Sequence, residues 1–308
     1  MNTILCVGAF AMDTIFRLEA LPTSPGKYLP IEALEVAEGM AAARAATIAR
    51  LGGAARLWAS CGDDAIGDRM LAQLVAEGVD CRSLRRVIGA RSGFSSIFMD
   101  VRGERIIVPQ YDPALRAAPD ALPDLSDVAV VSVDVRWPEA AAMALAAARE
   151  RGLPGLLDLD TGPRDVLTQL LPLASHVVAS EGGAAVVTGE TAPEVAVGAL
   201  ANMHPGFVAV TGGEKGCWWL DRATGTIRHQ PAFAVEAIDT LAAGDAFQAG
   251  VAVGLIEGRA MADTLRFASA VAAIKCTRFG GRLGAPSRPE VEAFLAARAA
   301  GSDGRRPD

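Results

Sequence analysis

A chain of 308 residues that is 51% hydrophobic but only 5% aromatic can bury a large core, and must fill it with Ala, Val, Leu and Ile, which suits helices packed on a parallel sheet. Its net charge of −7 and lack of a long basic run exclude the cationic face that a nucleic-acid backbone or an anionic membrane requires. The five cysteines, Cys6, Cys61, Cys81, Cys217 and Cys276, are odd in number and never spaced C-x-x-C. That pattern argues against disulfides or a zinc site, points to a reducing cytoplasm, and predicts that at least four of the five are small buried hydrophobes.

The chain opens directly on a strand-like Thr3-Ile4-Leu5-Cys6-Val7 with no basic leader. Charges break the Ala-rich runs before about 18 residues, so neither a targeting segment nor a membrane span is expected. Short apolar runs predict buried strands at Ile4 to Val7, Arg56 to Ser60, Val128 to Val133, Gly155 to Leu159, His176 to Val178 and Phe207 to Val210. Helices are predicted at Met40 to Leu51, Ile66 to Glu77, Glu139 to Arg151, Ala192 to Met203, Gly244 to Glu257 and Ala260 to Thr277. This alternation implies a mostly parallel sheet with helices on both faces. Two regions, 14–37 and 92–110, read as strands without an intervening helix and predict a small second sheet covering the mouth of the first. The resulting division is a core of 1–13, 38–91 and 111–299, a β lid of 14–37 and 92–110, and a tail at 300–308 carrying Arg305 and Arg306.

The chemistry concentrates in Asp239-Thr240-Leu241-Ala242-Ala243-Gly244-Asp245-Ala246-Phe247, a small-residue turn opening a helix whose apolar positions Phe247, Val251 and Leu255 recur every fourth residue. Small residues let the N–H groups of Ala243, Gly244 and Asp245 approach an anion, and the helix dipole favours negative charge there. Asp245 is then placed to take the proton of an attacking hydroxyl. On spacing alone, the alternative that Asp239 or Asp245 merely caps a helix stands equally well.

The stretch resembles the second signature of the PfkB (ribokinase) family, D-T-x-G-A-G-D-x-F, at every fixed position except Ala242, where the family has Gly. Glu38-Gly39-Met40 through Ala49-Arg50-Leu51-Gly52-Gly53, followed by Gly62-Asp63-Asp64 and Gly67, resembles the first signature. There Glu38 replaces a Gly and Ala43 stands where many members carry a sugar-binding Asn. Gly8-Ala9-Phe10-Ala11-Met12-Asp13 is similar to the family's strand end, whose Asp binds acceptor hydroxyls. Val208-Ala209-Val210-Thr211-Gly212-Gly213-Glu214-Lys215-Gly216 is similar to its ATP-phosphate turn. The N-x-x-E motif that helps place magnesium aligns with Ser180-Glu181-Gly182-Gly183, without its Glu.

Across nearly the full length the chain most resembles the family's bacterial sulfofructose kinases. The stretches concerned are Leu21 to Thr23 with Gly26 to Tyr28, Gly103 to Ile107, Asp134-Val135-Arg136-Trp137, His229 to Phe233, Arg266 to Ser269 and Lys275 to Arg282; Pro109 departs where a polar lid residue is expected. The resemblance implies a ribokinase-like three-layer α/β/α core with a small β lid, acting as an ATP- and Mg2+-dependent sugar kinase. Asp245 would be the base, with Ala242, Ala243 and Gly244 forming the anion hole. Thr211, Gly212, Gly213, Gly216 and Ser180 would line the nucleotide, and Asp13, Lys27, Gly39 and Arg136 the acceptor, with Lys27 and Arg136 suited to an anionic group on it. Metal ligands stay unassigned, and a homodimer through the lid is implied. As alternatives, Lys27 and Arg136 are surface cations and Asp13 a solvated loop residue, and the acceptor is a neutral sugar or a ketodeoxy sugar acid. A non-catalytic sugar sensor is the rival from another class. A dehydrogenase is disfavoured because G-x-G-x-x-G is missing after the first strand. His176, His204 and His229 show no metal spacing, and Trp218-Trp219 is expected to pack on the sheet.

Overall fold

The computed structural model describes residues 2–302; the tail residues 303–308, with Arg305 and Arg306, lie outside the described residues. Six parallel strands make up most of the main sheet: β1 (Thr3–Val7), β4 (Ala54–Trp58), β9 (Val128–Val133), β10 (Gly155–Leu159), β11 (His176–Ser180) and β12 (Phe207–Thr211). A hairpin that the apolar runs did not reveal, β13 (Cys217–Asp221) and β14 (Thr226–Gln230), adds two antiparallel strands at one edge. The full order is β14-β13-β12-β11-β10-β9-β1-β4.

Both faces of this sheet are apolar because successive side chains point to opposite sides. In β1, Ile4 and Cys6 join the core under α1 (Met40–Arg50), α2 (Ala65–Ala76), α7 (Ala243–Ile256), α8 (Met261–Cys276) and α9 (Arg288–Ser302). Leu5 and Val7 join the core under α3 (Pro138–Glu150), α4 (Arg164–Leu170), α5 (Glu181–Thr188) and α6 (Pro193–Met203). Alanine lets these helices approach closely: Ala41, Ala42, Ala43, Ala45 and Ala46 of α1 are all fully buried. A short parallel pair, β5 (Ser60–Gly62) and β6 (Arg85–Val87), lies apart from the main sheet.

The second sheet has the order β3-β2-β7-β8, built from β2 (Ala11–Leu18), β3 (Glu32–Glu38), β7 (Phe94–Asp100) and β8 (Arg105–Gln110). Ile15, Val36, Ile97 and Met99 form a core of its own, and Leu241 and Phe279 from the main domain pack into it. The edge of this sheet is open: every residue of β8 is exposed, including Ile106, Ile107 and Val108. Trp219 is buried in the main core while Trp218 stacks on His229, as expected of strand tryptophans. All five cysteines are free; Cys6, Cys61 and Cys217 are buried, whereas Cys81 and Cys276 are only half-buried, one fewer buried than expected. Among the described residues no helix is long and apolar enough to cross a membrane.

Candidate active site

The chain leaves β1 toward β4 on one side and later returns to place β9 on the other, so a crevice opens at the carboxyl end of β1. Asp134, fully buried just after β9, fastens this crevice. Its Oδ2 accepts from the Ala9 N–H at 2.9 Å and its Oδ1 from the Arg136 N–H at 2.8 Å. Gly39, at φ 101°, seats the start of α1 on the same turn; a Cβ there would fall 2.5 Å from the Ala9 carbonyl oxygen. Asp13, Gly39 and Arg136, three of the four residues expected around an acceptor, are thereby attached to the 8–13 segment. The fourth, Lys27, lies in the exposed loop between β2 and β3, and nothing ties it to the other three.

Asp13 bonds the Ser95 hydroxyl of the neighbouring strand β7, and burial pushes its carboxyl up to about 6. Beyond it, Gly8, Ala9, Tyr111, Arg116, Arg136 and Trp137 line a small recess. Arg136 spans to the Thr161 carbonyl (2.8 Å) and to Asp160 Oδ2 (2.7 Å). Arg116 stacks on the Tyr111 ring at 4.6 Å and has no carboxylate partner among the described residues. Sequence reasoning missed both Tyr111 and Arg116, which sit just after the lid, Arg116 at the end of the short 3-10 helix Pro113–Arg116, where no motif marks them.

Asp245 lies in the first turn of α7, and Ala242 immediately before that helix is left-handed, at φ 58° and ψ 14°. Among the described residues it is the one non-glycine at positive φ. The space above Gly244 is open: a Cβ built on it meets nothing within 4 Å. The N-terminus of α7 therefore has open space beside its first N–H groups, the arrangement that small residues and a helix dipole favour for an anion. Burial, and next the nearby Asp158, raise the Asp245 carboxyl well above the ordinary carboxylate range; Glu38 and Asp134 push the same way, and Arg44 opposes them.

Arg44 explains how so many acids share one floor. Fully buried on α1, it donates to Ser132 Oγ (2.7 Å) and the Val133 carbonyl (3.2 Å), and pairs with Asp158 at 3.6 Å and Asp134 at 3.9 Å. Gln248, three residues after Asp245, donates to Asp158 Oδ1 at 2.9 Å. Burial still lifts Asp158 to about 7. Glu38, noted in the sequence only as a departure, is also buried. Burial and then Asp13 raise it to about 8, and its Oε1 accepts from the Arg282 N–H at 2.6 Å.

On the other flank, Ser180 and Thr211 end adjacent strands and stand in register. Ser180 caps α5, accepting from the Gly183 N–H at 3.0 Å, and donates to Asp160 Oδ1 at 3.0 Å. The turn of residues 212–216 closes through Gly212 N–H to the Gly216 carbonyl at 2.7 Å, and Gly213 faces open space. Lys215 pairs with Glu181 at 3.1 Å.

The comparisons with known proteins agree with this geometry. Residues 1–288 match the pfkB family carbohydrate kinases. The chain belongs to the PfkB family. It is 27% identical to the ribokinase of Bacillus subtilis over 96% of its own length and all of that protein, and 28% identical to the ATP-dependent ribose-1-phosphate kinase of Halopiger xanaduensis over 97% and 99% of the two chains. A crystal structure from Agrobacterium tumefaciens, named a "putative ribokinase", superposes with a TM-score of 0.95 at 43% identity, covering 97% of this chain and 99% of that one. The PfkB chain is an ATP-dependent sugar kinase of ribokinase fold; a structure of that fold from Escherichia coli, named a "putative Ribokinase II" and 19% identical over 96% of this chain and all of that one with a TM-score of 0.80, is in complex with ATP and Mg2+.

This PfkB kinase lacks a prebuilt metal cage: the described residues contain no group of three or more His, Cys, Asp or Glu side chains arranged to hold a metal. The missing Glu of the family motif has no room to stand where it aligns, because a Cβ on Gly183 would lie 1.9 Å from the Leu159 carbonyl oxygen. The remaining carboxylates, Asp160 and Glu181, suit a hydrated Mg2+ carried in by the nucleotide, since that ion keeps several waters and needs only one or two carboxylates.

The left-handed Ala242 gives a direct test. A Cβ at positive φ costs about 1 kcal/mol, so Ala242→Gly should raise stability by roughly that amount, a shift of about 2 °C in Tm, with turnover kept within about threefold. Thermal melting and steady-state rates check it; a tenfold or larger loss of kcat would show that the anion hole needs the alanine.

Proposed function

We propose that this kinase transfers the γ-phosphoryl group of Mg-ATP to a hydroxyl of an anionic ketose, such as sulfofructose or a sugar phosphate. Asp13 holds acceptor hydroxyls. Asp245 takes the proton of the attacking oxygen, and the N–H groups of Ala243, Gly244 and Asp245 stabilise the charge on the phosphoryl oxygens in transfer. Thr211, Gly212, Gly213 and Gly216 line the nucleotide phosphates, with Ser180 fixing Asp160 beside them. Mg2+ would neutralise charge on the nucleotide's phosphates, with Asp160 and Glu181 the carboxylates of this chain placed to bind its waters. Ala242 adopts the backbone that a glycine would supply, which favours catalysis over a sensor role.

The observation that carries the acceptor class is the pair Arg116 and Arg136 beside the recess beyond Asp13, one guanidinium without a carboxylate partner among the described residues. A planar guanidinium grips a sulfonate or phosphate through parallel N–H bonds, about twice as strong as neutral ones. A relative named for ribose 1-phosphate, itself an anionic sugar, supports this class. The ion pair of Arg136 with Asp160 favours instead a neutral sugar, with Arg136 as scaffold. We also propose that two copies pair through the exposed edge of the lid, where β8 offers an unpaired edge with Ile106, Ile107 and Val108, and Leu29 and Ile31 lie exposed nearby in sequence to β3.

Asp245→Asn should cut kcat by about 10²–10⁴-fold while ATP affinity, measured by calorimetry, moves little. In the wild type the raised carboxyl must first lose its proton. The kcat/KM for acceptor should therefore climb with pH from an acid limb lying above the ordinary carboxylate range, and rates within threefold of wild type in the variant would remove Asp245 from its role.

For the acceptor, kcat/KM on sulfofructose or fructose 6-phosphate should exceed that on fructose by about 100-fold or more, and Arg116→Ala and Arg136→Ala should each lower the preference by about tenfold or more. Equal use of fructose, or an unchanged preference in both variants, returns the acceptor to the neutral sugars. Ile107→Asp on the lid's exposed edge strand should convert the dimer to a monomer in sedimentation or light scattering, and a monomeric wild type at micromolar concentration would dismiss the pairing.

A further inference from the structure

Lys275 is a fully buried ammonium that the phosphoryl-transfer chemistry does not use. It sits in the last turn of α8, and its Nζ donates to the Asp239 backbone carbonyl at 2.7 Å while lying 3.2 Å from Asp239 Oδ2, whose side chain is equally buried. Asp239 is the first residue of the turn that leads through Thr240, Leu241 and the left-handed Ala242 into α7. Its Oδ1 accepts from the Leu241 N–H at 2.7 Å, and its Oδ2 from the N–H groups of Gly280 and Gly281, both at 2.9 Å. The ammonium thus meets a carboxylate and a carbonyl, both hard oxygen donors, at the base of the anion hole.

Burying a lysine costs several kcal/mol, and a methionine fills comparable space without that cost. Burial accordingly favours the neutral amine, opposed by Asp239, Cys276 and Glu38, the groups that face it. An ion pair serving only to hold α8 in place would need the carboxylate alone. The shorter contact is to the backbone carbonyl of the turn itself.

We infer that Lys275 is a positioning residue that acts as a tethered monovalent cation: its ammonium orders the turn of residues 239–242, so that the N–H groups of α7 are aimed without help from a free ion. The inference rests on the kinase reading for its catalytic consequence, but the cation site itself is measurable without turnover. Three consequences follow from the chemistry. The wild type needs no added alkali cation. Removing the side chain leaves a cavity with oxygen ligands and uncompensated negative charge, which a small monovalent cation can enter. A neutral side chain that fills the cavity leaves the turn without its cation and blocks the rescue.

The experiment compares wild type, Lys275→Ala and Lys275→Met in choline, sodium, potassium, ammonium and methylammonium chlorides at constant ionic strength. Wild-type kcat is expected to vary by less than about twofold among the salts. Lys275→Ala should lose about 10–100-fold in kcat in choline, the scale expected for misplaced catalytic groups, with KM for ATP and acceptor changed little. Potassium, ammonium or methylammonium should restore at least about tenfold, saturably, and Lys275→Met should stay low in every salt. Thermal melting of Lys275→Ala reads occupancy separately: its Tm should rise in ammonium or potassium over choline by several degrees more than that of the wild type.

If the wild type turns over no sugar but the salt-specific Tm rise appears, the kinase reading fails and the cation site stands. Strong activation of the wild type by potassium, full activity in Lys275→Met, or no cation response of Lys275→Ala in either rate or melting would overturn the inference. Should Lys275→Ala fail to fold in choline, recovery of folded protein in ammonium supports it, and failure in every salt overturns it.

Discussion

The carboxylate of Asp239 is the interaction on which the catalytic architecture depends. Fully buried, it binds three backbone N–H groups, from Leu241, Gly280 and Gly281, and one ammonium, from Lys275. Those donors come from the turn before α7, from the last turn of α8 and from the segment after it. One side chain therefore fixes how the N-terminus of α7 is presented. A carboxylate that accepts several charge-assisted bonds in a dry interior is costly to disturb, because each orphaned donor then carries its full desolvation penalty. The same contacts explain how an alanine is held left-handed at 242. Its neighbours Leu241 and Ala243 are both fixed, the first by Asp239 Oδ1 and the second by an N–H bond to the Thr240 carbonyl.

A second constraint is electrostatic. Asp13, Glu38, Asp134, Asp158 and Asp245 converge from β2, β3, β9, β10 and α7, while Arg44 is the cation placed against Asp134 and Asp158. Burial first, and then the like charges nearby, make Glu38 and Asp158 hold protons more tightly than free carboxyls do. A carboxyl raised in the folded state gives up its proton first in the unfolded chain. The fold therefore loses stability as pH rises from about 4 toward the folded values near 7 and 8. A base raised in this way binds the acceptor's proton more firmly than an exposed carboxylate would, which suits it to receive that proton as phosphoryl transfer proceeds.

Much of this was legible in the sequence, and the exceptions have physical reasons. The turn of residues 239–247 is readable because a backbone anion hole tolerates only small residues, and a run of them before an apolar helix is rare. The parallel strands are readable because burial on both faces leaves unbroken apolar runs. Arg44 was not, since a lone arginine in an alanine helix has the same spacing whether it faces water or, as here, the carboxylates under the sheet. Glu38 showed as a departure from a glycine motif, but its burial against Arg282 joins positions 244 residues apart, which no local pattern encodes. The β13–β14 hairpin escaped because β14, with Thr226, Arg228 and His229, is a polar edge strand with no apolar face of its own.

The lid is mechanically part of the same turn. Leu241, between Asp239 and Ala242, packs with Phe279 into the lid's small core, and Arg105 of β8 reaches over to donate to Thr240 Oγ1 at 2.7 Å. In the proposed reaction, the sheet that would enclose the acceptor is therefore bonded to the backbone that would stabilise the transferring phosphoryl group. Any displacement of β2, β3, β7 and β8 that opens the acceptor cleft must slide past Leu241 or release Thr240, and either event loosens the path to Ala242. Enclosing the acceptor and completing the anion hole are then one packing event. In the proposed reaction, that coupling would restrict the assembled site to the state in which water is excluded and an acceptor hydroxyl, rather than a water molecule, lies beside Asp245.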